Sequence, residues 1–248
     1  MTDDEIVENK ENHKKVNEGL VGVTSCLGCK RSLFYKHNDA PKLPPHYWSF
    51  RGILTHSMIE ECIKTGKMTT QDLGDVYDYT LWLLELDGEV PDYAKSPKLK
   101  RDVLKIMENF KRWANENKHD FKKVELYLVS NDKRFHGRID LIDGDTLIDF
   151  KSGKTVTKKS RLQLVAYKIL CEDNGIPINR LKLVMLGKGS GNVEVNILGK
   201  LGDFDKYKAE FIEDLDIAEN VVKGSDLPEA EVGIECGFCP YVHICRGI

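Results

Sequence analysis

Apolar and polar residues alternate with the two-residue period of a β-strand in the middle of this chain. Residues 124–130 and 137–142 alternate or run apolar, and turn formers, Asn-Asp-Lys at 131–133, lie between them. A third apolar run at 147–151 follows a second turn, Asp-Gly-Asp at 143–145. The pattern predicts a meander of three consecutive strands.

Apolar residues recur with the 3.6-residue period of an α-helix on both sides of this meander. Before it, Gly88, Pro91 and Pro97 separate the periodic segments. The predicted helices cover about 47–63, 70–86, 98–117, 160–171 and 204–222, and two further predicted strands cover 181–186 and 192–197. This mixture predicts an α/β fold with a central mixed sheet flanked by helices.

The chain shows no internal repeat and no low-complexity linker, so we expect a single domain over residues 19–248. Within it we predict a helical layer at about 47–120, a strand-rich core at about 121–200 and a C-terminal segment at about 201–248. Residues 1–18 are mostly charged and amide side chains, which predicts a charged arm that is frayed or disordered.

The composition is that of a globular protein, with 41% hydrophobic residues, 31% charged residues and a formal net charge of −3. No run of about 18 apolar residues occurs, and the acidic start at residues 1–5 differs from a signal peptide. We therefore expect a cytoplasmic protein with no membrane partner.

The negative net charge argues against binding nucleic acid by bulk attraction. A phosphate ligand needs local positive charge, which is available at Lys151, Lys154, Lys158, Lys159 and Arg161.

Asp149 and Lys151 are two apart on the third predicted strand and therefore project from the same face. An Asp-x-Lys pair by itself is most often a solvated ion pair on an exposed strand. Here the turn at 143–145 folds Asp140, on the preceding strand, back towards Asp149. Two carboxylates and a lysine around one point suit a divalent cation that acts on phosphate, and hard oxygen ligands favour magnesium or manganese.

Polar residues on two predicted helices are candidates for the same site. Gln163 and Tyr167 are four apart and share a helix face, which points either to solvent or into the site. The second orientation is plausible because only a short basic loop separates this helix from the Asp-x-Lys strand. His56 lies alone on the first predicted helix, where a single histidine is more often an ordinary residue than a ligand.

Seven cysteines are many for a cytoplasmic chain, where clustered thiols hold metal more often than they form disulfides. Cys62 and Cys171 stand alone in helical segments, and we expect them to be small core residues. The remaining cysteines lie near the two ends of the chain, at Cys26, Cys29, Cys236, Cys239 and Cys245.

Four of these five terminal cysteines can share one metal site that joins the chain ends. In one scheme two Cys-x-x-Cys pairs bind zinc as in a zinc ribbon, and Cys245 is spare. In the other scheme the three C-terminal cysteines bind together with one N-terminal thiol, so that either Cys26 or Cys29 is spare. Structural zinc and iron-sulfur clusters both accept four cysteines, and the spacing favours zinc only slightly.

Together these residues resemble a known family, the RecB-like iron-sulfur nucleases of the PD-(D/E)xK superfamily, and most closely the small CRISPR-associated RecB-like exonucleases. The related nuclease domain of AddB has a similar cysteine arrangement. The resemblance covers roughly residues 24–245. Its motifs, in chain order, are an N-terminal cysteine, Arg51-Gly52 with His56 and Glu60, Gly137-x-x-Asp140, Asp149-x-Lys151, Gln163-x-x-x-Tyr167 and a terminal Cys-x-x-Cys-x5-Cys.

The resemblance implies a restriction-endonuclease-like nuclease core with a role for each matched residue. The implied metal ligands are His56, Asp140, Asp149 and the Phe150 carbonyl, for Mg²⁺ or Mn²⁺. The implied catalytic residues are Lys151, Asp149 and Asp140. The implied DNA contacts are Gln163, Tyr167, Arg161 and Lys154.

The resemblance also implies that a 4Fe-4S cluster joins the two terminal segments. Its ligands would be Cys29, Cys236, Cys239 and Cys245. Cys29 is the better N-terminal match because residues 29–35 resemble the cysteine, arginine and aromatic pattern of the family, whereas Cys26 is an extra thiol beside it.

For activity, the resemblance implies an exonuclease that degrades single-stranded DNA, often from the 5′ end. In CRISPR systems this activity implies trimming of DNA captured for spacer acquisition, alongside the integrase complex as a partner. The alternatives are a DNA-repair or mobile-element nuclease with the same core, a non-catalytic DNA-binding module that keeps the cluster and the basic groove, and a zinc-ribbon binding protein.

Overall fold

A six-stranded mixed sheet with helices on both faces forms the centre of the computed structural model, which describes residues 19–88, 90–117, 123–187, 193–196 and 201–247. The predicted arm at 1–18 lies outside the described residues, and the predicted division of residues 19–248 into three parts stays a prediction. The strands are β1 (Val21–Gly22), β2 (Lys123–Val129), β3 (Phe135–Asp143), β4 (Thr146–Lys151), β5 (Arg180–Met185) and β6 (Val193–Asn196).

The predicted meander is present as β2, β3 and β4, which pair antiparallel in chain order. Strand β4 then pairs in parallel with β5, and β5 pairs antiparallel with β6. The short β1 pairs in parallel with the start of β3, while β4 pairs with the end of β3. The α/β fold with a mixed central sheet is therefore confirmed.

The helices are α1 (Val23–Cys26), α2 (Lys30–His37), α3 (Tyr47–Thr65), α4 (Thr70–Leu86), α5 (Pro97–Asn117), α6 (Lys158–Asp173), α7 (Leu201–Lys223) and α8 (Val242–Arg246). Single 3₁₀ turns are found at Asp92–Lys95 and Ile234–Phe238. None of the helices in the described ranges combines the length and the apolar character that crossing a membrane requires.

Helix ends follow local capping chemistry, which explains small differences from the predicted bounds. The Thr157 side chain accepts a hydrogen bond from the Ser160 backbone N–H, and Ser160 reciprocates, so α6 begins two residues before the predicted start. Thr69 and Asp72 form the same box at the start of α4. Helix α3 ends where Gly66 adopts a φ of 69°, a conformation open to glycine.

Helices α3, α4 and α5 cover one face of the sheet and share a core with it. Phe150 of β4 is fully buried in this core and meets Phe110 and Trp113 of α5 edge to face, at centroid distances of 5.4 and 5.0 Å. Because side chains alternate along a strand, packing of Phe150 on this face directs its neighbours Asp149 and Lys151 to the other face.

Helices α6 and α7 cover the opposite face and form a second core with β1, β3 and β5. Leu147 of β4, two residues before Asp149, is buried in this second core. Cys171 is buried in the same core and Cys62 in the first one, as predicted for isolated small residues. Helix α6 therefore runs over the face of the sheet that presents Asp149 and Lys151.

Candidate metal and catalytic site

The sheet register brings three carboxylates onto neighbouring strands. The pairing of β2 with β3 keeps one register on both sides of Glu125, so Glu125 lies across from Asp140. The pairing of β3 with β4, extended by one step, puts Asp149 beside Asp140 on the other side. The Phe150 backbone N–H donates to Asp140 Oδ2 over 2.7 Å, which fixes this carboxylate against β4.

Glu125 was not among the predicted site residues. Its backbone has a φ of 49°, a left-handed conformation that is uncommon outside glycine and costs on the order of 1–3 kcal/mol. Like charges directly opposite each other in a sheet repel. The position of Glu125 across from Asp140 therefore disfavours the folded state unless a proton or a cation lies between the two carboxylates.

His56 reaches this group from α3. Its Nδ1 atom lies 3.3 Å from Asp140 Oδ1, and its side chain is about one third exposed, at 32%. Ligand atoms of His56, Glu125 and Asp140 all lie within 4.8 Å of one another. Across the described ranges this is the only group of three or more potential ligands that converges so closely.

Burial and charge set unusual protonation states in this group. Burial opposes a charge on His56, but the Asp140 carboxylate outweighs it and raises the His56 pKa to about 9. Burial disfavours a charged Asp140 as well, and His56 nevertheless lowers its pKa. Burial and the neighbouring Asp140 raise the Glu125 pKa to about 8. At neutral pH the His56 and Glu125 side chains therefore each hold a proton. A bound cation would supply positive charge at the same place.

Asp149 supplies an unpaired oxygen beside this group. Its side chain is 1% exposed, and Oδ1 has no hydrogen-bond partner in the described part of the chain. Burial raises the Asp149 pKa to about 6, although Lys151 Nζ lies 2.8 Å from Oδ2 and opposes the shift. A buried carboxylate oxygen without a partner costs free energy, and a bound cation removes that cost.

Lys151 connects the carboxylates to α6. Its Nζ donates to Gln163 Oε1 over 2.8 Å, and Gln163 Nε2 donates to the Tyr167 hydroxyl over 2.8 Å. Burial would lower the Lys151 pKa, but Asp149 and Asp140 raise it, so the side chain is an ammonium at neutral pH. The predicted polar face of this helix therefore points into the site, and the Asp149, Lys151, Gln163 and Tyr167 side chains form one chain of contacts.

Gly137 makes room for this chain of contacts. A Cβ atom at Gly137 would lie 2.7 Å from Tyr167 Cε1, closer than real side chains approach. Tyr167 is 4% exposed, and burial raises the pKa of its hydroxyl, which stays protonated. The glycine that begins Gly-x-x-Asp140 thus allows α6 to approach β3.

The backbone after Lys151 is held from two sides. Arg51 of α3 donates from Nη2 to the Ser152 carbonyl over 3.1 Å. A Cβ atom at Gly187 would lie 2.2 Å from the same carbonyl oxygen, so only glycine permits this close approach. The segment that follows the Asp-x-Lys strand is consequently fixed between α3 and the end of β5.

The predicted basic cluster divides into paired and unpaired residues. Lys158 lies 2.9 Å from Glu210, and Lys159 lies 3.7 Å from Glu235. Lys154 is exposed and Arg161 is partly exposed, and within the described residues neither side chain has a hydrogen bond or an ion pair. These two predicted DNA contacts are therefore available to a ligand, and their role stays a prediction.

The terminal cysteines separate into one buried thiol and four that share a cavity. Cys26 has no exposed surface, and burial raises its pKa to about 12. The cavity has a volume of about 980 Å³ and lies between the N-terminal helices and the C-terminal segment. Its lining includes Cys29, Cys236, Cys239 and Cys245, all of them free thiols. Arg31 contributes a guanidinium whose Nη1 is 3.8 Å from Cys245 Sγ.

Most of the predicted site residues thus converge on strands β3 and β4, with His56 reaching them from α3 on one side of the sheet and Gln163 and Tyr167 from α6 on the other. The structure brings together His56, Asp140, Asp149, Lys151, Gln163 and Tyr167. Phe150 contributes its backbone N–H to the site while its ring packs in the apolar core, and a role for its carbonyl stays a prediction. Glu125 was missed because counting back from Asp140 across the predicted turn at 131–133 points to Val124, whereas the observed register puts Glu125 across from Asp140.

Comparisons with known proteins identify a family match. A family model described as PD-(D/E)XK nuclease superfamily matches residues 23–246. No curated protein matches the chain. Among solved structures, one titled "Crystal structure of SSO0001" aligns over 96% of this chain and 96% of its own, with 14% identity and a TM-score of 0.45. A TM-score below 0.5 does not establish a shared fold.

Proposed function

We propose that this chain, which belongs to the PD-(D/E)XK nuclease superfamily, degrades single-stranded DNA as an exonuclease that starts at the 5′ end. Membership in this superfamily implies a metal-dependent nuclease. The choice of single strands and the 5′ direction rest on the resemblance to CRISPR-associated RecB-like exonucleases. The observation that carries the proposal is Asp149, a buried carboxylate with an unpaired oxygen between Asp140 and the Lys151 ammonium.

The donor atoms of the site suit a hard divalent cation. Carboxylates dominate, and one imidazole joins them, which favours Mg²⁺ or Mn²⁺ over a soft metal. We propose His56, Asp140, Asp149 and the Phe150 carbonyl as ligands, and add Glu125 because its carboxylate lies within reach of the same point. When bound, such a cation polarises a phosphate and lowers the pKa of a bound water.

The protein's own residues would orient and stabilise the reacting phosphate. Lys151 is held as an ammonium by Asp149 and Gln163, and we propose that it stabilises the charge that develops on the phosphate or positions the attacking water. Gln163 and Tyr167 would hold the Lys151 side chain in place and contact the DNA strand. Lys154 and Arg161, which lack protein partners in the described ranges, would bind backbone phosphates.

We further propose that the cysteine-lined cavity holds a 4Fe-4S cluster. The four cysteines line one cavity. Four thiolates suit either an iron-sulfur cluster or zinc, and the choice of a cluster rests on the resemblance to the RecB-like iron-sulfur nucleases. The ligands would be Cys29, Cys236, Cys239 and Cys245. The cluster would act structurally by joining the N-terminal helices to the C-terminal segment.

The resemblance also leads us to propose a biological setting. A 5′ exonuclease on single strands would trim the ends of DNA captured for CRISPR spacer acquisition, with the integrase complex as its partner. The site chemistry is the same in a repair or mobile-element nuclease, so the activity is tested first.

The test is digestion of single-stranded and double-stranded DNA labelled at either end, with Mg²⁺, Mn²⁺ or EDTA. Wild type is expected to release 5′-terminal nucleotides from single strands only when a divalent cation is present. Asp149→Ala should abolish this release, because it removes the carboxylate at the centre of the site. Lys100→Ala, which removes a surface ion pair with Asp78 in the helical layer, is the control and should be as active as wild type. Digestion by Asp149→Ala at the wild-type rate would refute the proposed site.

A further inference from the structure

Trp48 is a large aromatic residue on the surface, near the start of α3, and is 48% exposed. The Arg51 guanidinium lies 4.7 Å from the centroid of its ring, so a cation covers one face of the indole. The neighbouring Tyr47 ring meets it edge on, with an interplanar angle of 89°. One face of the indole is thus supported and much of its remaining surface is open to solvent.

The support under Trp48 is connected to the candidate site. Arg51 stacks on the indole and also donates to the Ser152 carbonyl over 3.1 Å. Ser152 follows Lys151 directly in the chain. A single side chain therefore joins the Trp48 ring to the backbone directly after the Asp-x-Lys motif.

Trp48 and Ser49 also line the cavity that contains the four cysteines. This cavity has more basic than acidic side chains in its lining, and Lys159 reaches it from the start of α6. The basic residues are Lys30, Arg31, Lys36, Lys159 and Arg246, against Asp214, Glu231 and Glu235. Lys30 pairs with Asp214 and Lys159 with Glu235, so the lining keeps an excess of two positive charges, which favours an anionic polymer beside Trp48.

We propose that Trp48 is the stacking platform for an unpaired nucleobase of the DNA strand that enters the site, with Arg51 supporting the indole from behind. This inference rests on the proposed nuclease function. Nucleobases in a duplex stack on each other and hide their faces, whereas an unpaired base offers its face to an aromatic ring. The platform would therefore explain a preference for single strands without any contact to base edges.

Trp82 provides a matched comparison within the same protein. It is also 48% exposed, and its ring packs beside Tyr79 at a centroid distance of 5.9 Å. Trp82 belongs to α4, whose charged residues are all acidic, and no cation lies over its ring among the described contacts. An acidic helix repels a DNA strand, so exposure alone does not make a DNA contact. The cation, the basic lining and the link to Ser152 distinguish Trp48.

The test measures binding without cleavage, by fluorescence anisotropy of a labelled oligo-dT in EDTA. Trp48→Ala should weaken binding on the order of tenfold, because the nucleobase loses the aromatic ring on which it stacks. Trp48→Phe should recover much of the affinity, and Trp82→Ala should bind like wild type. Binding of a duplex of the same length should change little in any variant. Equal binding of single strands by Trp48→Ala and Trp82→Ala would overturn the proposal.

A second measurement locates the contact on the strand. A single abasic nucleotide is moved stepwise from the 5′ end of the oligonucleotide, and its cleavage is compared in wild type and in Trp48→Phe and Trp48→Ala. Wild type should cleave poorly when the abasic nucleotide occupies the position whose base would stack on Trp48. Trp48→Ala should cleave equally well wherever the abasic nucleotide lies. A wild-type protein that cleaves no DNA would refute the nuclease function itself. Active cleavage with the same position dependence in Trp48→Ala would refute only the role of Trp48.

Discussion

The metal site on the sheet and the cysteine-lined cavity are built in different ways. In the first, strands of at least six residues and the 19-residue helix α3 carry every charged side chain, and Asp149 is 1% exposed. In the second, three of the four cysteines belong to Ile234–Phe238, α8 or the link between them, and each of these two elements has five residues. Ile234 is 89% exposed there. The packed sheet positions the residues of the first site. Few buried apolar side chains hold the cysteine-bearing C-terminal segment of the second site in place.

This difference has an energetic basis. Isolated helices of five residues are unstable in water, so a segment built from them needs other contacts. The C-terminal segment has a few, such as the backbone bond from Leu43 N–H to the Pro240 carbonyl at 2.8 Å and the Tyr35–Tyr241 ring contact at 5.7 Å. A cluster bound by four thiolates would add the missing cross-link between Cys29 and the C-terminal cysteines. The comparison therefore predicts that losing the bound group affects only one of the two sites.

The largest expected effect is an all-or-none loss of the cluster. Cys29→Ala should yield a colourless protein without iron or sulfide, while Cys26→Ala should retain both and lose only about 1 kcal/mol of folding stability. The reason is that Cys29 lines the shared cavity and Cys26 is buried in the core behind it. Iron and acid-labile sulfide are assayed together with visible absorbance. One zinc per chain and no iron in wild type would refute the cluster.

The same pair of variants tests whether the two sites are independent. Limited trypsin digestion of Cys29→Ala should produce a cut after Lys223, where α7 ends, that wild type resists, and thermal unfolding of the remaining sheet should resemble wild type. Loss of the whole fold in Cys29→Ala, with Cys26→Ala intact, would mean that the sheet also depends on the cluster and that the contrast between the two regions is wrong.

The next largest effect concerns Lys151. Lys151→Ala should lower kcat for single-stranded DNA by about 10²–10³-fold, the usual effect of removing one donor that stabilises transition-state charge. The midpoint of thermal unfolding of the metal-free protein should also fall, because the change leaves the buried Asp149 carboxylate without its charged partner, so kcat is measured well below that midpoint. Lys158→Ala, which removes the ion pair with Glu210 at the start of α6, is the matched control. A similar loss in both variants would assign the effect to general positive charge.

The periodic elements and the centre of the site were predictable from the sequence because short-range rules determine them. Strand alternation and one turn bring Asp140 beside Asp149, and helix periodicity puts Gln163 and Tyr167 on one face. Glu125 required the register of β2 against β3, which the alternation of apolar residues alone does not settle. Its left-handed backbone is also a local conformation that no sequence pattern announces.

Contacts between distant segments were not predictable. Arg51 and Ser152 are 101 residues apart, and their hydrogen bond depends on how α3 packs on the sheet. The roles of Gly137 and Gly187 likewise depend on which atoms approach them, Tyr167 in one case and Ser152 in the other. Periodicity identifies the elements, whereas the packing of these elements decides which polar residues meet.

The smallest expected effect is a gradual dependence of metal affinity on pH, and it tests how much of the sheet site is formed before a metal binds. In the metal-free protein the Glu125 pKa is about 8 and the His56 pKa about 9, so both groups hold a proton at pH 7. A cation must displace these protons, and its affinity should rise as pH increases, by up to about tenfold per unit for each proton released. The rise should end above pH 9. Manganese titration calorimetry at several pH values measures the slope.

Glu125→Gln is the decisive variant for this slope. It keeps the size of the side chain and removes its proton, so one fewer proton is released and the slope of log affinity against pH should decrease by about one below pH 8. His56 would still contribute up to pH 9. If Glu125→Gln binds Mn²⁺ with the wild-type affinity and the wild-type slope, Glu125 is not a ligand. Protonation of Glu125 alone would then relieve its repulsion with Asp140.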